Sequence, residues 1–254
     1  MNATTQADDV ARAREILARA SCVVVFTGAG VSAESGVPTF RGADGLWKRF
    51  RPEDLATPEA FARDPRLVWE WYRWRRGLVA RCEPNAAHRA LAAWMARRED
   101  VTLVTQNVDD LHERAARAAG APAAPPRLLK LHGSLFLDRC SRCAHAAAGG
   151  AGEPETDLPV CPSCGALLRP GVVWFGEALP EEWFEAAVDS ARGCEACLVI
   201  GTTGAVYPAA GIVHAARASG AAVIVVDPGA TEYDAIADVR LAGPAGGIVP
   251  RLVP

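Results

Sequence analysis

Short apolar runs alternate with segments of helical periodicity along most of the chain. The apolar runs are typical of strands buried on both faces of a parallel sheet, and they lie at residues 22–26, 101–105, 127–131, 196–200 and 222–226. Helices are predicted around and between them at residues 9–20, 86–98, 110–118, 180–191 and 208–219. This alternation predicts an α/β fold with a Rossmann-like, doubly wound parallel sheet.

Two segments interrupt the alternation. Residues 42–82 are rich in Trp and Arg and predict helices and loops without a strand, and residues 136–170 contain four paired cysteines. We predict that these two insertions together form a smaller helical and zinc-binding domain. The larger, nucleotide-binding domain would then comprise residues 1–41, 83–135 and 171–254.

Composition and charge limit the kinds of partner. The 254 residues are 50% hydrophobic and 22% charged, which is ordinary for a globular protein with a full core. A net charge of −3 argues against nucleic acid or an anionic membrane as partner. No apolar stretch is long enough to span a bilayer, and the polar N-terminus lacks the features of a secretory or transit signal. We expect a cytoplasmic protein, with the monomer as the simplest state.

The cysteines predict a metal site. Four of the eight form two pairs, Cys140-x2-Cys143 and Cys161-x2-Cys164, with the spacing of a zinc ribbon. Four thiolates fill a tetrahedral zinc site, so the zinc is expected to be structural. The remaining four border apolar runs and are expected in or near the core: Cys22, Cys82, Cys194 and Cys197.

A glycine-rich turn follows the first predicted strand. Gly28, Ala29, Gly30 and Ser32 belong to a segment that fits G-x-G-x-x-G/A, in which small residues let backbone amides approach a pyrophosphate. Dinucleotide dehydrogenases carry an acid about 20 residues further on, at the end of the next strand. Here residues 47–51 are basic and not strand-like. An ordinary hydride-transfer enzyme therefore fits poorly.

Polar residues also follow the other predicted strands, at the edge of the sheet where α/β proteins bind ligands. They are Gln106, Asn107 and Asp109, then His132, then Gly201, Thr202 and Thr203, and finally Asp227. Amide, carboxylate and hydroxyl groups there can bind a carboxamide, ribose or phosphate, and a histidine can act as a base at neutral pH. Taken singly, these residues have ordinary alternatives: helix capping by Asn107 or Asp109, a core histidine, and turn initiation by Asp227.

Together these motifs resemble the sirtuin family of NAD-dependent protein lysine deacylases. The matching segments are residues 28–41, 105–109, 132–133, 173–177 and 201–210, together with the cysteine quartet, and they span nearly the whole chain. The resemblance implies that NAD is a consumed co-substrate, that His132 is the general base, and that deacylation releases nicotinamide and O-acyl-ADP-ribose. It implies NAD contacts for Gly28, Ala29, Gly30, Ser32, Phe40, Arg41, Gln106, Asn107, Asp109, Gly201, Thr202, Thr203, Asp227 and Ala245.

The resemblance also implies an acyl-lysine peptide as substrate. Its backbone would pair as an added strand with Val173, Trp174, Phe175, Gly176 and Glu177. Tyr72 and Arg75 are three residues apart on a predicted helix and resemble the Tyr-x-x-Arg pair of sirtuins that remove succinyl or malonyl groups. Arginine can bind an acyl carboxylate bidentately and tyrosine adds a hydroxyl donor. Acetyl groups are expected as further substrates.

Two departures from the family pattern concern the NAD contacts. Thr203 replaces the usual serine and keeps the hydroxyl, whereas Asp227 replaces a common asparagine and loses a donor. Other functions remain open at this point. A non-catalytic NAD- or ADP-ribose-binding module has no need for His132, and some sirtuin relatives are ADP-ribosyltransferases. A zinc-ribbon nucleic-acid binder is disfavoured by the negative charge.

Overall fold

The computed structural model describes residues 3–40, 45–48, 50–122, 127–150 and 157–253. The strands are β1 (Val23–Thr27), β2 (Val101–Thr105), β3 (Leu128–Lys130), β4 (Gly133–Cys140), β5 (Ala146–Ala148), β6 (Leu168–Val172), β7 (Ala196–Ile200), β8 (Ala222–Val226) and β9 (Val239–Leu241). The α-helices are α1 (Ala3–Arg19), α2 (Pro52–Leu55), α3 (Pro58–Arg63), α4 (Pro65–Ala80), α5 (Ala86–Arg97), α6 (Leu111–Ala118), α7 (Glu181–Gly193), α8 (Gly211–Ala218) and α9 (Ala245–Leu252). Short 3-10 helices cover Ala29–Ser35, Leu46–Lys48 and Asp234–Ile236.

A parallel sheet forms the centre of the molecule. Within the described residues its six strands have the order β3-β2-β1-β7-β8-β9, and every neighbouring pair is parallel. The chain therefore reverses its direction of winding between β1 and β7. In open α/β sheets such a switch point opens a crevice outside the carboxyl ends of the strands, where ligands bind.

Both faces of the sheet are covered by helices. Val23 and Val25 of β1 face a core shared with α1, α5 and α9, while Val24 and Phe26 face a core shared with α7 and α8. Successive side chains of a strand point to opposite faces, so a strand buried on both sides is apolar throughout. The predicted doubly wound sheet is confirmed. No described helix is long and apolar enough to cross a membrane.

A smaller unit lies beside the large sheet. Strands β5, β4 and β6 pair antiparallel in that order, and apolar residues of β4 and β6 share a core with α2, α3 and α4. The predicted smaller domain built from two insertions is thus present. However, β4 crosses the predicted limit at residue 135 and β6 crosses the one at residue 170. The division of the chain at those two residues stays a prediction.

Candidate active site

One cavity of about 620 Å³ opens at the carboxyl edge of the parallel sheet, between the sheet and the smaller unit. The predicted site residues that line it are Gly28, Ala29, Gly30, Phe40, Tyr72, Arg75, Gln106, Asn107, His132, Val173, Trp174, Phe175, Gly176, Glu177, Gly201, Thr202, Thr203, Asp227 and Ala245. Ser32 and Asp109 do not belong to the lining. Arg41 lies outside the described residues.

The glycine turn packs against the loop that follows β7. Gly28 N–H donates to the Ile200 carbonyl over 3.0 Å, and Gly30 N–H donates to the Gly201 carbonyl over 2.9 Å. A Cβ atom on Gly30 would lie 2.6 Å from Gly201 Cα, and Gly201 itself has a φ of +61°. These two amides are engaged within the protein, and contact between the glycine turn and a pyrophosphate stays a prediction. The two glycines allow two backbone loops to meet at the switch point.

A buried polar network lies behind the lining. Ser32 Oγ–H donates to Asp109 Oδ2 over 3.0 Å and accepts from Asn107 Nδ2 over 3.3 Å. The other Asp109 oxygen accepts from Leu111 N–H, which ties the 105–109 loop to the start of α6. Asp109 thus caps the start of α6, as one of the interpretations from the sequence allowed. It also positions Asn107, because both side chains bond to Ser32. Direct NAD contacts of Ser32 and Asp109 stay predictions.

Two buried histidines that the sequence analysis missed complete this network. His88 Nε2 lies 3.3 Å from Ser32 Oγ, and His112 Nε2 lies 3.1 Å from Thr27 Oγ1. Their ring centroids are 4.7 Å apart. Burial lowers the pKa of His88 to about 4 and that of His112 well below its ordinary value, so both rings are neutral at pH 7. No spacing signal in the sequence marks either residue.

His132 lies two residues beyond the end of β3 and is held in one tautomer. Its Nδ1 lies 2.9 Å from the Gln106 carbonyl oxygen, which can only accept, so Nδ1 carries the proton. The Nε2 lone pair is then available to a ligand. The ring is half-buried, and burial lowers its pKa below the ordinary value although the Gln106 carbonyl opposes that shift. These are the properties of a general base at neutral pH.

The pH dependence of activity follows from this shift. A general base works only when deprotonated, so kcat/KM should fall as the pH drops through the lowered pKa of His132. We expect the midpoint of this acidic limb to lie below the ordinary value of 6.5, with a plateau above it. The measurement is kcat/KM for an acyl-lysine peptide from pH 5 to 9 at saturating NAD. An acidic limb centred above pH 7 would contradict the assignment.

The four paired cysteines converge as predicted. Their Sγ atoms all lie within 4.8 Å of one another, with 3.4 Å between Cys140 and Cys164 and 3.7 Å between Cys143 and Cys161. A tetrahedral site with Zn–S bonds of about 2.3 Å separates its sulfurs by about 3.8 Å, so the group fits zinc. The amides of Arg142 and Cys143 donate to Cys140 Sγ and lower the pKa of that thiol to about 6, which favours the thiolate ligand.

The predicted peptide-binding segment is held rigidly after β6. The amides of Val173 and Phe175 donate to the carbonyls of His132 and Ala56, while Trp174 N–H donates to Glu177 Oε2. Glu177 also receives two bonds from Arg169, at 2.5 and 2.9 Å. These amides are occupied within the protein. Pairing of a substrate strand with this segment stays a prediction.

Tyr72 and Arg75 form the inner wall of the cavity. Both lie on α4, with exposed fractions of 1% and 5%, and the Arg75 guanidinium stacks on the rings of Phe40 at 4.7 Å and Trp71 at 4.8 Å. No described residue supplies a carboxylate or other acceptor within hydrogen-bond distance of this guanidinium. Burial lowers its pKa to about 10, which still leaves it charged at neutral pH.

Further cavity residues were absent from the sequence prediction. Trp71 lies beside Arg75, and Val206, Tyr207 and Pro208 follow the Gly201–Thr203 loop. Tyr207 is 63% exposed at the rim of the cavity. For Val206, Tyr207 and Pro208 the available signal was their position a few residues beyond the end of β7, because ligand sites at the carboxyl edge of the sheet extend into these loops.

The fold and the site define a class of protein: an α/β protein with a cavity at the switch point of its sheet, a histidine in the lining of that cavity and four cysteines whose grouping fits zinc. A Sir2 family model matches residues 28–208. A protein of Ralstonia nicotianae named NAD-dependent protein deacylase is 49% identical over 99% of this chain and 98% of its own length. NAD-dependent protein deacylase 1 of Pseudomonas aeruginosa is 50% identical over 94% and 96%, respectively.

A solved structure of a Sir2 homologue has the same fold. A Sir2 homologue in complex with NAD superposes with a TM-score of 0.86 at 44% identity, over 96% of this chain and 92% of that one. The chain belongs to the Sir2 family, which confirms the resemblance drawn from the sequence.

Proposed function

We propose that the protein is an NAD-dependent protein lysine deacylase with a preference for acidic acyl groups such as succinyl and malonyl, and with acetyl groups as further substrates. The deacylase activity is supported by the family membership and by the names of the most similar relatives. The acyl preference is supported by one observation: the buried Arg75 guanidinium lines the cavity, and no carboxylate of the described residues forms a salt bridge with it, Asp109 acting on its charge only from a distance.

The cavity fits NAD in size and chemistry. Gln106 and Asn107 offer amide groups to the cavity, and Thr202, Thr203 and Asp227 offer hydroxyl and carboxylate groups. Gln106 Nε2 also donates to Thr202 Oγ1 over 3.0 Å, so the loops after β2 and β7 are linked across the site. We assign the nicotinamide end to Gln106 and Asn107 and the adenosine end to Thr202, Thr203, Asp227 and Ala245.

Each side chain of the site then has a task. Bound NAD supplies an electrophilic ribose carbon and a leaving nicotinamide. His132 takes a proton from a ribose hydroxyl at Nε2, while its Nδ1–H stays on the Gln106 carbonyl. Trp174 and Val173 close the apolar side of the cavity and reduce the access of water to the reacting atoms.

The pocket around Arg75 would select acidic acyl groups because their carboxylate can pair with the buried guanidinium. Removing a guanidinium from water costs free energy that stacking on Phe40 and Trp71 offsets only in part. The carboxylate of a succinyl or malonyl group restores a charge-assisted, bidentate contact that an acetyl group lacks. The charge is therefore already in place before the substrate enters.

The experiment that tests this proposal measures selectivity. For the double variant Tyr72→Phe, Arg75→Met, we expect kcat/KM for a succinyl-lysine peptide to fall ten- to a hundredfold relative to the acetyl-lysine peptide. Hydrogen bonds to charged groups contribute about 1.5–3 kcal/mol. Arg73→Met is the matched control, because Arg73 lies on the same helix outside the cavity lining. An equal loss with both peptides would contradict the acidic-acyl preference.

The same assay separates the other functions. The protein is mixed with NAD and a succinyl-lysine, an acetyl-lysine or an unmodified peptide, and the peptide mass is followed. A deacylase lowers the mass of the acylated peptides, an ADP-ribosyltransferase raises the mass of a peptide, and a binding module leaves all three unchanged. The cytoplasmic location and the monomeric state stay predictions.

A further inference from the structure

One contact of the acyl wall reaches beyond the Tyr72–Arg75 pair. The indole Nε1–H of Trp174 donates to Tyr72 Oη over 2.9 Å, and both side chains are buried, with exposed fractions of 3% and 1%. Trp174 comes from the segment after β6, whereas Tyr72 lies on α4. The hydrogen bond therefore joins the peptide-binding segment to the acyl pocket.

Trp174 is held firmly in this position. The Arg169 guanidinium lies 3.4 Å from the centroid of its ring, and the Phe61 ring centroid is 5.4 Å away. Its backbone amide donates to Glu177, which itself pairs with Arg169. The indole N–H is thus aimed at Tyr72 by contacts on the ring and on the backbone.

The direction of this bond determines what Tyr72 can do. An indole N–H can only donate, so Tyr72 Oη is the acceptor and its own proton is free for another partner. A phenol O–H lies near the plane of the ring in one of two orientations. The orientation that points the Tyr72 hydroxyl hydrogen at the Trp174 N–H hydrogen is disfavoured, which leaves the other. Among the described residues, Tyr72 Oη has no acceptor for its proton. Burial raises its pKa to about 12, so the proton is retained.

We propose that Trp174 is a positioning residue for acyl selectivity, which directs the Tyr72 hydroxyl proton into the pocket toward the carboxylate that Arg75 binds. This inference rests on the proposed acidic-acyl function and adds a residue to it. Among the described residues, no acceptor lies at Tyr72 Oη for its proton and no carboxylate forms a salt bridge with Arg75, and both side chains face one cavity. The substrate carboxylate would satisfy the two donors together.

The test is a double-mutant cycle between Trp174 and Tyr72. Trp174→Phe removes the donor, and kcat/KM is measured with succinyl-lysine and acetyl-lysine forms of one peptide, in the wild-type and the Tyr72→Phe background. Both activities are expected to fall, because Trp174 belongs to the predicted peptide-binding segment, so the readout is the succinyl-to-acetyl ratio. That ratio should fall about two- to tenfold in the wild-type background and stay unchanged in Tyr72→Phe, since a neutral hydrogen bond contributes modestly.

The matched control is Trp69→Phe. Trp69 is buried on the same helix as Tyr72, and its Nε1–H donates to the Leu168 carbonyl over 3.0 Å, outside the cavity lining. The same substitution there removes a buried indole hydrogen bond of the small unit, and it should leave the ratio unchanged. Trp174→Met, which also lacks a donor, replaces the Phe variant if that variant does not fold.

The outcomes separate this inference from the proposed function. A ratio that falls equally in both backgrounds, or one that does not fall in the wild-type background, overturns the positioning role. If Arg75→Met lowers the ratio and Trp174→Phe does not, the acidic-acyl function stands and only the role of Trp174 fails. A ratio insensitive to Arg75→Met overturns both.

Discussion

Replacing His132 by alanine is expected to lower kcat for an acyl-lysine peptide by about 10²–10⁴-fold, the usual contribution of a general base, with little change in the Kd for NAD. The Nε2 lone pair is the group lost, and no other described side chain in the lining offers a neutral imidazole. The residues assigned to the nicotinamide and adenosine ends remain in place, so binding should persist.

The measurement pairs steady-state kinetics with calorimetric titration of NAD. His214→Ala is the control, because His214 lies on α8, packs against the Tyr233 ring and is not part of the cavity lining. Turnover of His132→Ala within tenfold of wild type would remove His132 from its role. Loss of NAD binding in parallel would point to a positioning role through the Gln106 carbonyl instead.

Removing zinc is expected to have the second large effect, a loss of both the small sheet and the activity. The metal-binding segment has little apolar core of its own, because β5 is fully exposed and none of the described residues 141–150 and 157–160 is buried. Structural zinc contributes about 10–16 kcal/mol of apparent binding free energy in zinc-finger peptides, which is far more than such a segment gains by packing.

The activity should follow because the zinc site and the active site share two strands. Strand β4 begins directly after His132 and ends at the ligand Cys140, and β6 ends directly before Val173. Unfolding the knuckles would therefore release one end of both strands. The base and the peptide-binding segment would lose their common support, although neither contacts the metal group.

The check combines zinc analysis, thermal unfolding and activity for Cys164→Ser, with Cys22→Ser as the control. Cys164 belongs to the quartet, whereas Cys22 precedes β1 and lies outside it. We expect Cys164→Ser to lose zinc, melt at a lower temperature and lose turnover, and Cys22→Ser to keep all three. Full activity of a zinc-free Cys164→Ser protein would show that the metal does not support the site.

The parallel sheet was predictable because its strands are buried on both faces. β2, β7 and β8 have the predicted bounds, since runs such as Ala196–Ile200 are apolar throughout and end at polar or glycine residues. β9 and α9 were missed for the opposite reason. β9 has only three residues, and α9 contains two glycines and Pro250. Their formation depends on packing against β8, α1 and α5 rather than on local preference.

The sequence by itself determined the residue types: the thiol pairs, the small residues of the turn, and polar side chains after buried strands. It indicated metal binding and nucleotide binding, since each of these residue types has few common roles at such positions. Only the tertiary structure decided which atoms remain available to a ligand. It engages the amides of Gly28 and Gly30, puts Ser32 and Asp109 behind the lining, and joins Trp174 to Tyr72. These contacts link residues up to 172 positions apart, as with Gly28 and Ile200, and local patterns carry no information on such pairings.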